Sequence, residues 1–224
     1  MAKPIVLCAD STCDLSPELI EKYQVKILPM HVNLEENSYL DGVDIDPDAI
    51  YAYYHEHKGL PKTAALNMDE FIAFVKPYID ADNDVICITL GSALSTTCQS
   101  AFIAAEALRE KYPQRTIRVV DTLCAARGQG LLVWHACQKR DAGMSLEELT
   151  AWVEDNKLHL CHWVTVDDLG HLKRGGRISG TTAFVGTMLN IKPIIIMDDP
   201  ARLTTTGKVR GRKAAMEHLV QQME

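Results

Sequence analysis

The segment that decides the fold is residues 84–101, DVICITLGSALSTTCQSA, in which an apolar strand leads through a hydroxyl-rich turn into an alanine-rich helix. The start of a helix leaves free N–H groups and the positive end of the helix dipole, and Ser and Thr hydroxyls beside it donate further hydrogen bonds. Such groups suit a carboxylate or a phosphate. Alternatively, Ser95 or Thr96 simply caps the helix, as these residue types commonly do.

The same change from strand to helix recurs along the first two thirds of the chain. Apolar runs predict strands at 5–9, 27–34, 85–90 and 117–120, and cap residues predict helices at 17–23, 47–57, 68–80, 96–111, 126–141 and 146–157. This alternation predicts βαβ units around a largely parallel sheet.

Polar residues recur where the strands of that sheet are expected to end. They are Asp10-Ser11-Thr12, Lys62-Thr63 in a loop before a helix, Ser92 to Thr97, and Asp121-Thr122. Ligands of open α/β sheets lie beyond the carboxyl ends of the strands, so we expect a site for a polar-headed ligand at this rim.

The pattern changes after Asn156. We therefore expect an α/β fold of two domains: 1–157, a largely parallel sheet with flanking helices, and 158–224, a smaller α/β domain. The second should contain a strand at 159–166, a hairpin of strands 193–197 and 202–205, and a helix from about residue 210. Because the last element of so small a domain would be unpaired, we expect a truncated domain or a homo-oligomer.

Composition argues against several classes of function. The chain has 224 residues, of which 47% are hydrophobic, and a net charge of −7. Its basic residues are scattered apart from a cluster at 208–213, so no nucleic-acid partner is expected. No apolar run approaches the roughly 20 residues that span a bilayer, and the start does not resemble a signal peptide, which predicts a cytoplasmic protein without membrane insertion.

The cysteines and histidines do not predict a metal centre. Seven cysteines occur without C-x-x-C spacing, so most should be reduced, half-buried thiols. The pairs His55–His57 and His159–His162 do not match a zinc signature. We expect neither a metal nor a cofactor.

Common enzyme motifs are incomplete. The sequence after Gly91 lacks the second glycine of a hydrolase nucleophile elbow, and the chain contains no P-loop. Gly128-Gln129-Gly130 begins like a dinucleotide fingerprint, but Val133 replaces the third glycine. We interpret these glycines as a sign of tight strand-to-helix packing.

Two segments of the second domain remain open to two interpretations. Arg174-Gly175-Gly176-Arg177 is either a turn that meets a carboxylate or an acidic partner, or a helix end stopped by glycine. The apolar stretch Ala183–Leu189 either packs in a core or lines a long apolar cavity.

An ordered set of segments is more specific than any of these motifs. They are Asp10–Leu15 (DSTCDL), Ser92–Ala101, Val120–Thr122 (VDT), Leu169–Ile178 (LGHLKRGGRI), Asn190–Ile194 (NIKPI) and Lys208–Arg210 (KVR). By this set, which extends over essentially the whole chain, the sequence resembles the DegV family, the bacterial fatty-acid-binding proteins also called FakB.

The resemblance implies a non-catalytic protein that binds one long-chain fatty acid between its two domains and presents the carboxylate to a separate fatty acid kinase. Thr63 and Ser95 match the family's carboxylate-binding threonine and serine, and Ser92 and Arg177 would belong to the surrounding polar network. The chain departs from the family around these positions, since residues 63–66 read TAAL and residues 95–98 read STTC. We expect the family's histidine-bearing, glycine-rich ending to have no counterpart in these 224 residues.

An enzyme is the alternative function. It would be an α/β enzyme that acts on a small phosphorylated or carboxylated metabolite at the rim formed by Ser92–Thr97. An apolar cavity as long as an acyl chain would favour the carrier, and a short polar pocket with a base near Ser95 would favour the enzyme.

Overall fold

The computed structural model describes residues 3–57, 59–167, 169–178 and 190–223. Contacts between residues divide the chain into two units, Met1–Leu160 and Cys161–Glu224. The domain boundary after residue 157, the truncation of the second domain and the binding of a ligand between the domains stay predictions. The apolar stretch predicted at 183–189 lies outside the described residues.

Within its described residues, the first unit contains seven strands and six α-helices. Its strands are β1 (Ile5–Asp10), β2 (Lys26–Leu28), β3 (His31–Leu34), β4 (Asn37–Leu40), β5 (Lys62–Ala64), β6 (Asp84–Thr89) and β7 (Ile117–Asp121). Its helices are α1 (Pro17–Tyr23), α2 (Pro47–His57), α3 (Met68–Asp80), α4 (Thr97–Lys111), α5 (Ala126–Asp141) and α6 (Leu146–Asn156).

The helix starts follow from local sequence. The Ser16 side chain accepts the N–H of Leu19, and Pro17 occupies the first position of α1. Reciprocal capping boxes begin α3, at Asn67 and Glu70, and α6, at Ser145 and Glu148. The six predicted helices are confirmed, each within one residue of its predicted bounds.

Helices cover both faces of a parallel sheet with strand order β2-β1-β6-β7. Successive side chains of a strand point to opposite faces, so Leu7 packs with α1, α5 and α6, whereas Cys8 packs with α3 and α4. Both faces of the sheet are therefore buried, which explains why its strands read as continuous apolar runs. The predicted α/β fold with a largely parallel sheet is confirmed.

The connections of β1 and β6 run in opposite directions. From β1 the chain passes through α1 on one face to β2, and from β6 it passes through α4 on the other face to β7. The carboxyl ends of β1 and β6 therefore form the topological switch point of the sheet, the usual place for a ligand in open α/β folds.

A second sheet of the first unit is antiparallel, in the order β4-β3-β5. The predicted strand at 27–34 is wrong in its extent, because Pro29 and Met30 separate β2 from β3. Proline has no N–H for a sheet ladder and commonly ends a strand. The predicted loop at Lys62-Thr63 is also wrong, since these residues pair with β3 as the strand β5.

The second unit contains a three-stranded antiparallel sheet in the order β10-β9-β8, with a helix packed against β9 and β10. Its elements are β8 (Trp163–Val164), α7 (Gly170–Arg174), β9 (Ile191–Met197), β10 (Leu203–Arg210) and α8 (Arg212–Gln221). The predicted hairpin is confirmed as β9 and β10. The strand predicted at 159–166 is wrong in its extent, because only Trp163 and Val164 pair with β9.

The glycine pair after α7 ends the helix. Gly176 has a φ of 72°, its N–H donates to Lys173 O at 3.1 Å, and the Arg177 N–H donates to Leu172 O at 3.0 Å. This pair of hydrogen bonds is the Schellman motif. Of the two interpretations of this segment, the structure shows the helix end.

Candidate functional site

The turn between β6 and α4 is held from both neighbouring strands of the parallel sheet. Its three anchoring bonds are Leu90 N–H to Asp10 Oδ2 at 2.7 Å, Gly91 N–H to Cys124 O at 2.9 Å, and Ser92 N–H to Asp121 Oδ1 at 3.1 Å. Asp10 ends β1 and Asp121 ends β7, so the rim predicted from three of the four polar clusters is one edge of one sheet. The turn therefore lies at the switch point.

Ser95 forms a pair of hydroxyls with Thr97 at the start of α4. The Ser95 Oγ lies 2.9 Å from the Thr97 Oγ1 and accepts the Thr97 N–H at 3.2 Å. Ser95 thus takes the capping role, because the Thr96 side chain makes no capping bond within the described residues. Because the Thr97 hydroxyl donates its single hydrogen to Met30 Sδ, the Ser95 hydroxyl donates to Thr97 in this arrangement. Rotation of the Ser95 hydroxyl towards an anion would keep its capping bond to the Thr97 N–H, so the two interpretations of this residue are compatible.

The first turn of α4 retains donors. The N–H groups of Cys98 and Gln99 have no acceptor in the described parts of the chain. Together with the helix dipole, they favour a negative charge beside Ser95. The partner of the Ser95 hydroxyl is another neutral hydroxyl, so the local arrangement is that of a hydrogen-bond donor and not of an activated nucleophile.

Thr63 is exposed in β5, where it pairs with Val32 of β3. Met30, just before β3, links this sheet to α4 because the Thr97 Oγ1 donates to its Sδ at 3.5 Å. Leu66 lies in the same buried cluster as Met30 and Cys98. The segment that follows Thr63 thus packs near the start of α4, and the sharing of one ligand by Thr63 and Ser95 stays a prediction.

Ser92 and Arg177 lie in different units. Ser92 is exposed, and its backbone N–H is the group that binds Asp121. Arg177 follows the glycine pair, and its Nη1 donates to Gly175 O at 2.5 Å. Their membership of a polar network around the ligand stays a prediction.

Asp10 is a buried acid at the same rim, and sequence reasoning assigned it no role of its own. Its side chain is 1% exposed. Burial raises the pKa of the Asp10 carboxyl, against the opposing effect of hydrogen bonds from Thr12, the Leu90 N–H and Gln129. The available sequence signal was an acid placed directly after the five apolar residues of the first predicted strand.

A cavity of about 330 Å³ lies between α1 and α5. Its apolar wall is formed by Leu15, Leu19, Leu131 and Trp134. Gly130 permits the close approach of α5, because a Cβ there would collide with the carbonyl oxygen of Cys13. The tight packing expected at this glycine is therefore present, but its partner is the turn after β1 and not a strand.

The described residues include all seven cysteines of the chain. No group of three or more His, Cys, Asp or Glu side chains there could hold a metal ion. The seven cysteines form no disulfide, and six of them are buried, more deeply than the half-burial that we predicted. None of the helices in the described part of the chain is long and apolar enough to cross a bilayer.

An open parallel sheet with hydroxyl and N–H donors at its switch point is typical of α/β proteins that bind small anionic ligands. The sequence model of the DegV family matches residues 4–224. The chain belongs to the DegV family.

Relatives in this family match along nearly the whole chain. A DegV domain-containing protein of Clostridium perfringens is 39% identical over 224 residues, which are 99% of this chain and 77% of that protein. The DegV domain-containing protein YteA of Lactococcus lactis is 38% identical over 217 residues, 96% of this chain and 75% of the relative. The chain thus spans about three quarters of the length of these relatives.

Three solved structures share the fold. A DegV family protein from Thermus thermophilus, described by its fatty acid binding, is 33% identical with a TM-score of 0.84, over 98% of this chain and 76% of that one. A stearic acid-binding protein from Eubacterium ventriosum is 30% identical with a TM-score of 0.86, over 100% of this chain and 75% of that one. DegV of Bacillus subtilis, a fatty acid binding protein, is 29% identical with a TM-score of 0.84, over 99% of this chain and 77% of that one.

Proposed function

We propose that this protein binds a long-chain fatty acid and holds its carboxylate at the start of α4, with Ser95 and Thr63 as hydrogen-bond donors. The observation that carries the proposal is the Ser95–Thr97 hydroxyl pair beside two N–H groups of α4 that lack acceptors among the described residues. The fatty acid binding described for three structurally similar DegV proteins supports a fatty acid as the source of the carboxylate.

Native mass spectrometry of the full chain, purified from a bacterial host, tests the ligand class. We expect a bound mass equal to that of a long-chain fatty acid. A small phosphorylated or carboxylated metabolite in its place would support the alternative, an α/β enzyme acting at the Ser92–Thr97 rim.

Calorimetric titration with stearic acid tests the site. Ser95→Ala should weaken binding by about 1–3 kcal/mol, the usual loss when a hydrogen-bond partner of a charged group is removed. Thr96→Ala is the matched control, since it deletes a neighbouring hydroxyl that makes no capping bond in the described structure. Unchanged affinity of a folded Ser95→Ala variant contradicts the assignment.

The role of Thr63 is tested in the same titrations. If Thr63 and Ser95 bind one carboxylate, the losses caused by Thr63→Ala and Ser95→Ala should not add in the double variant. Strict additivity would indicate that the two residues act separately.

We also propose that the bound fatty acid is presented to a separate fatty acid kinase and that the protein itself is a carrier without catalytic activity. The support is the match of its motifs to the DegV family. Incubation of the loaded protein with ATP should leave the fatty acid unchanged until a kinase from a DegV-containing bacterium is added. Consumption of ATP by the purified chain alone would contradict the carrier role.

A cytoplasmic location and self-association complete the proposal. The exposed apolar side chains of Met216 and Val220 on α8, 47% and 54% accessible, support an interface between copies. Light scattering over a concentration series should show oligomers, and a monomer at every concentration would exclude them.

A further inference from the structure

Asp10 is a deeply buried acid at the end of the parallel sheet. It ends the central strand β1 and is 1% exposed. Among the described residues no Lys, Arg or His forms an ion pair with it, and its contacts are hydrogen bonds from Thr12 and Leu90, with the Gln129 amide beside it. An ionised carboxylate without a cationic partner is costly to bury, because the interior does not replace its hydration.

If Asp10 is ionised, the hydrogen bonds around it lack one proton, because two acceptors then share one donor hydrogen. The Thr12 hydroxyl bonds to Asp10 Oδ1 and also lies 3.0 Å from Gln129 Oε1. A hydroxyl has a single hydrogen, so it cannot donate to both of these acceptors.

The orientation of the Gln129 amide is fixed by its other end. Its Nε2 donates to Ile88 O at 3.2 Å, and the reversed amide would place two acceptors against each other there. Gln129 is fully buried, so an orphaned Oε1 would cost the desolvation of an unsatisfied polar group. A proton on Asp10 resolves the conflict: the acid donates to Thr12, and Thr12 donates to Gln129.

The same segment supports the proposed ligand site on two sides. Asp10 Oδ2 accepts the N–H of Leu90, the residue that leads into the turn before Ser95. Ser11 Oγ accepts the N–H of Met30 at 3.1 Å, and Met30 in turn contacts the Thr97 hydroxyl. A displacement of residues 10–12 would therefore move the donors at the start of α4.

We propose that Asp10 is a neutral carboxylic acid in the folded protein and a positioning residue that fixes the Ser95 turn through a relay from Asp10 to Thr12 and Gln129. The effect on the ligand rests on the proposed function, whereas the protonation of Asp10 does not.

In the part of the chain that the structure describes, the ionisable groups that face Asp10 carry no compensating charge. They are thiols: Cys13 in the turn after β1, Cys87 on β6 and Cys98 on α4. Burial raises the pKa of Cys13 to about 12 and that of Cys98 to about 11, while a hydrogen bond with Cys8 and burial raise the pKa of Cys87. These thiols are neutral at neutral pH. A thiol is never cationic, so none of them could offset the charge of an ionised Asp10.

Carbon-13 NMR of the full chain with labelled Asp carboxyl groups tests the protonation directly. The resonance that Asp10→Asn removes belongs to Asp10, and at neutral pH we expect it at the chemical shift of a protonated acid. A resonance at the shift of an ionised carboxylate overturns the proposal.

The pH dependence of stability is the second readout. An unperturbed Asp ionises near pH 3.9 in the unfolded chain, and a raised pKa in the folded protein means that folding retains a proton at higher pH. This contribution to stability is fully present below the unfolded pKa and is lost as the pH rises through the folded pKa. The folding equilibrium constant of wild type relative to Asp10→Asn should fall about tenfold per pH unit within that window. A pH-independent ratio overturns the proposal.

Titration with stearic acid tests the positioning role. Asparagine retains an N–H donor for the Thr12 hydroxyl and an oxygen for the Leu90 N–H, and it loses only the long bond from the Thr12 N–H at 3.3 Å, so Asp10→Asn should bind within about twofold of wild type. Asp10→Ala removes both and should weaken binding about tenfold. Thr12→Val is the second variant, in case Asp10→Ala does not fold, and should also weaken binding.

The control Asp155→Asn makes the same chemical change at an exposed residue of α6 and should bind like wild type. Equal weakening of binding by Asp10→Asn and Asp10→Ala overturns the proposal that Asp10 is a neutral acid. Unchanged binding in both Asp10→Ala and Thr12→Val overturns its positioning role. If wild type itself does not bind stearic acid, the proposed function fails, while the NMR titration still decides the protonation of Asp10.

Discussion

Two aspartates hold the same turn from opposite sides and differ in their surroundings. Asp10 ends the central strand β1, beneath Gln129 of α5, and is 1% exposed. Asp121 ends the edge strand β7, is half-buried, and accepts the N–H groups of Ser92 and Leu123, both at 3.1 Å.

In sequence the two sites look alike, each an apolar strand followed by Asp and a hydroxyl residue. The position of the strand within the sheet decides the chemistry of its acid. A central strand is covered on both faces and flanked on both sides, so its acid is dehydrated, whereas an edge strand leaves its acid open to water.

The largest loss of stability is expected where α5 packs against the turn after β1, beside Asp10. Gly130→Ala would drive a Cβ into the carbonyl of Cys13, which is backbone and cannot rotate away. We expect a loss of about 3 kcal/mol in the free energy of unfolding, measured by urea denaturation, because overpacking forces the helix outward.

Gly207→Ala is the control for this change, since an added Cβ there would lie 4.0 Å from the Ile194 Cβ, an ordinary contact. Equal tolerance of the two substitutions would show that α5 approaches the turn after β1 less closely than described.

An intermediate effect is expected from the relay itself. Thr12→Val deletes the hydroxyl between Asp10 and Gln129 while keeping the side-chain shape, so buried acceptors lose their donor. The free energy of unfolding should fall by about 1–3 kcal/mol. In combination with Gln129→Leu the loss should be smaller than the sum of the two single losses, and an additive result would exclude a connected relay.

The smallest effect is expected on the Asp121 side. Asp121→Asn keeps an oxygen for both N–H groups but removes the negative charge that strengthens those bonds, so we expect a loss of about 1 kcal/mol at neutral pH. At neutral pH, Asp10→Asn should not lower the free energy of unfolding in this way, because Asp10 carries no charge to remove. A greater loss at Asp10 than at Asp121 would reverse the comparison between central and edge acids.

Local signals predicted most of the secondary structure. Caps such as Asn67 with Glu70, and the apolar run before Leu90, depend on neighbours within a few residues. The strands β4 and β5 lacked such a signal: β5 is three residues long and exists because it pairs with β3, which is distant in sequence. Pairing of this kind depends on the tertiary fold, so local propensity does not reveal it.

The residues of the candidate site also divide into those that the local sequence predicted and those that only the tertiary fold brings together. The hydroxyls beside the start of α4 could be read from residues 92–97, because a strand-to-helix change and its donors are contiguous. The partners that hold them could not: Asp10, Cys124 and Asp121 reach the turn from other strands and loops.

The sequence by itself therefore determined the helices of the first unit, the strands β1, β6 and β7, the family and the hydroxyl-rich turn, since each is encoded by contiguous residues or ordered motifs. The tertiary structure alone decided that β1 is central and β7 lies at an edge, and that Gln129 closes over Thr12. The physical reason is that dehydration and hydrogen-bond supply depend on which elements pack together, so the same Asp–hydroxyl pattern yields a buried acid at Asp10 and a half-buried one at Asp121.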